Sequence, residues 1–280
     1  MIDYHIHTHH SIDAEGSIDE YCKQALKCGL KEICFTNHCE LDPQRDDNLI
    51  RFDGTGEPQP FTRDCLLRLQ NQVLQSKDRY KRSGLTVKFG LEVGYFDGIE
   101  KFLHEVTKDI IFDFVLGSIH CLDHICIDSS REYQTYFAKH KVPDLFHNYF
   151  KEVKNLINSE LFNSVGHLDV YKKYGIGFYG TEIHTLPEDS LKDCFQLMAE
   201  KEIALEINTA GLRRINEFYP APSIMKHARA QGVNLITIGS DAHKVADLGK
   251  GIKEGMEYAK SFGFEAVCSY EKRKPIRVLI

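Results

Sequence analysis

The sequence predicts an α/β fold in which a parallel sheet wound with helices closes into one barrel domain spanning 1–280. Three observations point there. Apolar runs of strand length alternate with amphipathic stretches of helix length along the whole chain. No linker, low-complexity tract or internal repeat interrupts them. Metal-ligating residue types recur just after successive apolar runs, at positions 5 and 7, 38, 92, 120, 167, and 241 and 243. In a barrel the carboxyl ends of the strands converge on one mouth, whereas an open doubly wound sheet spreads them along a crevice. The clustered chemistry therefore favours the barrel, and alternation by itself leaves seven and eight strands equally open.

Residues 2–6 read as the first strand. Ser17 and Glu20 have capping-box spacing, so a helix follows to about Cys28, where Gly29 ends it. The run 30–35 is a second strand leading into Thr36-Asn37-His38, which makes a strand-helix-strand crossover. Residues 42–61 are rich in Asp, Pro, Gly and Arg, and 61–83 has helical composition. This loop and helix excursion at 42–83 is expected over one end of the sheet, and its 42–61 part, with Arg45, Asp46, Asp47, Arg51 and Phe52, reads as either a lid or a passive surface loop. Strand 85–91 ends at Glu92, helix 98–106 follows, and strand 112–119 ends at His120. Helix 146–161 precedes a short strand ending at Gly166-His167. Helix 187–201, with Pro187 suited to its first turn, precedes strand 204–207. Helix 222–231 precedes strand 234–238 and Gly239-Ser240-Asp241, and 251–262 with 265–280 complete the alternation.

Composition narrows the function. Of 280 residues, 42% are hydrophobic and 27% charged, an ordered chain long enough for a continuous core. With 35 basic against 41 acidic residues, the formal charge of -6 gives no nucleic-acid footprint. No apolar stretch reaches the roughly 20 residues of a membrane span, and the first residues lack the pattern of a secretion signal. Nine scattered cysteines without a CxxC pair suit a reducing, cytoplasmic setting in which they are packed fillers.

The histidines carry the chemistry. A lone histidine is ordinarily a surface group or a satisfied core group, but here the joint pattern overrides that reading. His5 and His7 are two apart, so in an extended segment both side chains leave one face and can approach one ion. Asp241 and His243 repeat the spacing after an apolar strand and a glycine turn. Glu92 offers two oxygens able to bridge neighbouring cations, and His120 ends the next strand. Zinc, manganese or iron suits such an imidazole and carboxylate shell better than magnesium does. Cys39 and Cys121, each beside a histidine, should point to the opposite face and act as packed thiols.

His5-Ile6-His7-Thr8, Thr36-Asn37-His38, Glu92, Gly117-Ser118-Ile119-His120, Gly166-His167-Leu168-Asp169 and Ser240-Asp241-Ala242-His243 resemble, in order and context, the motifs of the polymerase and histidinol phosphatase (PHP) superfamily. The resemblance runs over virtually the whole chain. The stretches 166–174 and 206–213 resemble its histidinol-phosphatase branch most closely. It implies a distorted (β/α)7 barrel and three divalent ions. By motif position the first would be held by His5, His7, Glu92 and Asp241, the second by Glu92, His120 and His167, and the third by Asp13, His38 and His243. Some members of the superfamily place histidine where this chain has Asp13.

The reaction it implies is hydrolysis of L-histidinol phosphate by water to L-histidinol and phosphate, through a metal-activated hydroxide. Glu92, Asp241, His243 and Arg213 are then the catalytic candidates. Arg213 suits a phosphate clamp because its fork makes paired, charge-assisted bonds. Arg214, Lys172, Lys173 and Lys244 are further phosphate candidates. His9 and His10 are expected to contact substrate, to support the ligands or to be structural; Asp169 either contacts the site or caps its loop, and metal-bound water, His243 or Asp169 could protonate the leaving group. Glu206 stands at the next strand end, either supporting the site or bonding its own loop. Two rivals remain: a PHP phosphoesterase for another ester, and a noncatalytic metal-stabilised module.

Overall fold

The structure is a computed structural model that describes residues 1–46 and 48–280. Asp47, expected in that lid or surface loop, lies outside the described residues. Seven strands form the main sheet: β1 (Ile2–Asp3), β2 (Glu32–Phe35), β3 (Thr86–Gly94), β4 (Phe114–Ser118), β5 (Ser164–Val165), β6 (Ala204–Asn208) and β7 (Ile236–Gly239). Each pairs in parallel with the next in chain order. The ring closes because Tyr4 N–H donates to Ile238 O at 2.9 Å and Ile6 bridges Ala242 in parallel. A doubly wound sheet would reverse its order at the centre, so this sequential closed order decides for a seven-stranded barrel. Two-residue strands at β1 and β5 make it distorted.

Helices follow from apolar spacing. In α1 (Ile18–Lys27), Ile18, Tyr21, Cys22 and Ala25 recur every three to four residues and are the buried face, and the Ser17 to Glu20 capping box closes the amino end. Helix α2 (Arg63–Lys81) packs on α1 and β3 as an ordinary crossover helix, so only residues 42–62 of the excursion are irregular. They contain a small antiparallel pair, Leu49–Ile50 with Gln59–Pro60. The remaining long helices are α3 (Ile99–Thr107), α5 (Val142–Ser159), α7 (Glu188–Glu200), α9 (Pro222–Ala230) and α10 (Ile252–Ser261). The start of α5 precedes the expected one by four residues because Pro143 sits in its first turn, where a missing N–H costs nothing. Shorter α4 (Tyr133–Phe137), α6 (Lys172–Tyr179) and α8 (Ala210–Arg214) lie beside the mouth-side loops and were not legible as helices.

Residues 265–280 depart from expectation. They form an antiparallel hairpin, β8 (Ala266–Glu271) and β9 (Lys274–Leu279), and add no further β/α unit. Tyr270 on β8 packs against Phe114 and Tyr4 with centroids 4.9 and 6.2 Å apart, closing the end opposite the mouth. Phe114 is completely buried there, worth about 1.5–3 kcal/mol of transfer free energy. No helix among the described residues is long and apolar enough to cross a membrane.

A candidate metal centre at the barrel mouth

Backbone breaks aim the site. Strand β2 stops at Phe35, and Thr36 and Asn37 turn their side chains to the first loop: Thr36 Oγ1 accepts from Ile6 N–H at 3.0 Å, and Asn37 Oδ1 accepts from Thr8 N–H at 2.8 Å and from Ser11 Oγ at 3.2 Å. Pairing with β3 then resumes at His38, directly opposite Glu92. On the far side, Gly239 lets His5 approach, since a Cβ there would lie 2.3 Å from His5 Cβ. Asp3, buried beneath, accepts from Ser240 N–H at 2.8 Å and Gly249 N–H at 3.1 Å. The loop then carries Asp241 with φ 50°, a left-handed conformation that aspartate tolerates better than most side chains.

All nine residues expected to ligate metal converge. Glu92 is the hub: its Oε1 lies 3.3 Å from His5 Nε2, 3.2 Å from His120 Nε2 and 3.1 Å from His167 Nε2. Its Oε2 lies 3.4 Å from His7 Nε2 and 2.8 Å from His38 Nδ1. Asp241 Oδ1 faces His5 Nε2 at 3.7 Å, His7 Nε2 at 3.5 Å and His243 Nδ1 at 3.3 Å. Asp13 Oδ2 reaches His243 Nε2 at 3.3 Å and His38 Nε2 at 3.6 Å, with about half its side chain exposed. Four triads bring ligand atoms close enough for one ion: His5, His7, Asp241; His5, Glu92, His167; His7, His38, His243; and His38, Glu40, His120. The corner expected of Asp13 is thus also lined by His7, and Glu40 joins His120.

The donor set fits cations. His5 Nε2, His7 Nε2, His38 Nδ1 and Glu92 Oε2 are buried without a hydrogen bond, a costly state unless something else occupies them. Burial alone pushes Glu92 toward its protonated form, but His5, His120 and His38 around it hold its pKa well below the usual range. Burial likewise favours neutral His5, yet Glu206, Glu92 and Asp241 raise its pKa well above normal. His7 is driven the other way, by burial and by the facing His38 and His243. Burial opposes charge on His243 too, and Asp13 and Asp241 nevertheless lift its pKa to about 9. Without cations, protons must balance these carboxylates.

Several supporting residues escaped the sequence reading. Glu40 Oε1 meets His120 Nδ1 at 2.8 Å, and Ser118 Oγ donates to Glu92 Oε1 at 2.7 Å. Both stand two residues from a ligand, the i, i+2 spacing that would have revealed them. Glu206, left open between two roles, supports the site: Oε1 lies 2.6 Å from His5 Nδ1, and Oε2 accepts from His167 N–H at 2.7 Å. Such a carboxylate fixes the imidazole tautomer and orientation.

The outer residues have partners of their own. Lys172 is buried and bonded to Asp169 Oδ2 at 2.9 Å, and the same oxygen accepts from Ala221 N–H at 3.1 Å, while Asp169 Oδ1 has no hydrogen-bond partner. Lys244 pairs with exposed Glu15 at 3.3 Å. His10 Nδ1 bonds Thr8 Oγ1 at 2.9 Å, and His9 packs on Gly54 and on His10, so both turn to the excursion. Lys173 faces Asp128 Oδ2 at 3.5 Å beside the cluster. One arm of Arg213 donates to Ser240 O at 2.7 Å and Asp241 O at 3.4 Å, holding the ligand loop. Arg214 is exposed beside it. Cys39 is buried, and neither it nor Cys121 joins a ligand triad. Arg51 donates to Ser11 O and Ile12 O at 2.9 Å each, tying the excursion over the first loop.

A PHP-domain family profile matches residues 3–210. The chain belongs to the PHP-domain family. A probable histidinol-phosphatase of Deinococcus radiodurans is 29% identical over 98% of each chain. The histidinol-phosphatase of Lactococcus lactis is 28% identical, covering 98% of this chain and 95% of that protein. The crystal structure of histidinol phosphate phosphatase from Lactococcus lactis, complexed with Zn, L-histidinol and phosphate, superposes with a TM-score of 0.78 at 24% identity, covering 98% of each chain. That likeness confirms the PHP-type barrel.

Proposed function

We propose that this PHP-domain chain is a metal-dependent phosphatase that hydrolyses L-histidinol phosphate to L-histidinol and inorganic phosphate. The observation that carries the reading is the single carboxylate of Glu92 facing five imidazoles with two differently directed oxygens, in a chain whose similar curated relatives are named histidinol-phosphatases. The ligand sets are His5, His7, Glu92 and Asp241; Glu92, His120 and His167; and Asp13, His38 and His243, for three divalent ions of zinc, manganese or iron. Bound there, such cations supply Lewis acidity to phosphate oxygens and a water of lowered pKa.

The chain's own residues do the rest. Glu92 lies between the ligand sets and offsets their charge. Glu206 and Glu40 orient His5 and His120 through Nδ1, leaving each Nε2 toward the mouth. Arg213 holds the Asp241 loop through Ser240 O, and its fork together with Arg214 and Lys173 provides positive charge for the phosphate. Asp128, whose pKa is lowered to about 2 because Lys173, His120 and His167 outweigh its burial, stands ready for a cationic leaving group. Residues 1–280 act as one domain, and nine free cysteines suit a cytoplasmic setting.

Turnover of L-histidinol phosphate against a panel of unrelated phosphate monoesters tests the reading, on metal-stripped and reloaded protein. Selective, metal-restored release of phosphate from histidinol phosphate is expected. Equal turnover across the panel would indicate a general phosphoesterase, and no turnover by fully loaded protein would indicate a noncatalytic module.

A further inference from the structure

Just past His120 the chain forms a small antiparallel hairpin, Cys121–Leu122 against Ile125–Cys126, with Cys121 directly opposite Cys126. Its two turn residues, Asp123 and His124, have φ of 48° and 63°, the backbone of a type I′ turn. Counting out from such a turn, 122 and 125 form a hydrogen-bonded pair, and 121 with 126 a non-hydrogen-bonded one. The next rung confirms the phase, since Ile127 N–H donates to His120 O at 2.9 Å. Non-hydrogen-bonded partners stand at a Cα separation of about 4.5 Å, inside the range a disulfide spans, with both side chains on one face.

Other features separate this pair from the packed thiols. Both residues are partly exposed, whereas Cys22, Cys34, Cys39, Cys65, Cys194 and Cys268 are buried. Among the described residues no other cysteine faces a cysteine across paired strands. Leu122 fills the core at this hairpin, so the thiols are not needed as apolar filler. Cys126 Sγ also donates to Asp128 Oδ1 at 3.0 Å, which aims it along the hairpin face.

We propose that Cys121 and Cys126 are a thiol-oxidation site, closing to a reversible cross-strand disulfide by exchange with a low-molecular-weight disulfide such as oxidised glutathione. The thiolate of Cys121 attacks one glutathione sulfur, the glutathione S–S bond breaks, and one glutathione leaves as the thiolate. Cys126 then loses its proton and attacks the Cys121 sulfur, expelling the second glutathione. Two protein thiols are oxidised to one disulfide, one glutathione disulfide is reduced to two thiols, and the two thiol protons leave on them. A Cα separation at the short end of the range makes such a bond reducible rather than structural. The bridge would stiffen the segment that carries His120 and receives Arg45 Nη1 at His124 O, 2.7 Å away.

The test uses metal-loaded wild-type protein equilibrated in glutathione redox buffers, acid-quenched, alkylated and digested with trypsin. The fragment 109–131 contains both thiols and no other. It is expected to escape alkylation at both sulfurs, to be two hydrogens lighter, and to revert with a dithiol. Its half-conversion should come in a buffer at least tenfold more reducing than for the urea-unfolded chain, because folding holds the sulfurs together. Alkylation at both thiols in every buffer, a separate glutathione on either sulfur as the end product, or a shift in midpoint below tenfold would overturn the assignment.

Discussion

Replacing Glu206 with glutamine keeps the volume and removes only a charge and an acceptor. In the structure one oxygen takes the His5 Nδ1 proton at 2.6 Å, while the other accepts from His167 N–H at 2.7 Å and Asn208 Nδ2 at 3.2 Å. An amide cannot serve both sides. If its carbonyl faces His167 and Asn208, its NH2 faces His5 Nδ1, so the imidazole must carry its proton on Nε2, the nitrogen that faces Glu92 and Asp241. If the amide flips, His5 keeps its tautomer but two buried donors meet an NH2 group. Either arrangement leaves a buried polar group unsatisfied, at about 1–3 kcal/mol. Loss of such a supporting carboxylate weakens metal binding by about 10–100-fold, or about 1.4–2.7 kcal/mol. Chelator competition with elemental analysis gives the dissociation constants, and circular dichroism checks the fold. A folded Glu206→Gln protein that binds metal within threefold of wild type would refute the reasoning, and a lowered melting temperature alone would leave Glu206 as an ordinary buried bond.

Glu92→Gln withdraws the charge shared by five imidazoles, so it should cost more than one metal equivalent and reduce turnover by at least two orders of magnitude. Elemental analysis showing full occupancy would remove Glu92 from the bridging role. Arg213→Lys keeps the charge but loses the fork, and Arg213→Ala frees the Ser240 and Asp241 carbonyls. The alanine variant should lose more kcat/KM, and a metallated, folded alanine protein with wild-type kcat/KM would eliminate both the clamp and the loop support. His10 is wholly buried, and burial first, then neighbouring His9, lowers its pKa to about 4. Between that value and the unfolded value near 6.5 the unfolded chain holds the extra proton, so stability is full above 6.5 and falls as pH drops toward 4. The loss is on the order of 3 kcal/mol. Urea unfolding of metal-free wild type and His10→Gln at pH 7 and pH 4.5 should show the wild type losing more, and equal losses would sink the account.

Legibility in the sequence followed the range of the interactions. His5 with His7 and Asp241 with His243 were readable because a two-residue repeat places side chains on one face whatever the strand then pairs with. The same rule applies to Glu40 after His38 and Ser118 before His120, whose two-residue spacing puts each on the face of a ligand. Asp3 and Glu206 are different, because each supports a loop from another strand and acquires its role only through the closed order of the barrel. The terminal hairpin hid for a local reason. Its turn residues, Lys272 and Arg273, adopt φ of 48° and 67° without glycine or asparagine to announce them. Helix α6 hid for the opposite one, since Gly175 and Gly177 lower its intrinsic propensity and packing must supply what the sequence withholds. Gly175 sits where a Cβ would come within 2.9 Å of Ile183, so close packing explains the glycine that disguises the helix. The segment that presents Lys173 near Asp128 is therefore shaped by tertiary contact, and its charge could be placed beside the ligands only after the barrel was closed.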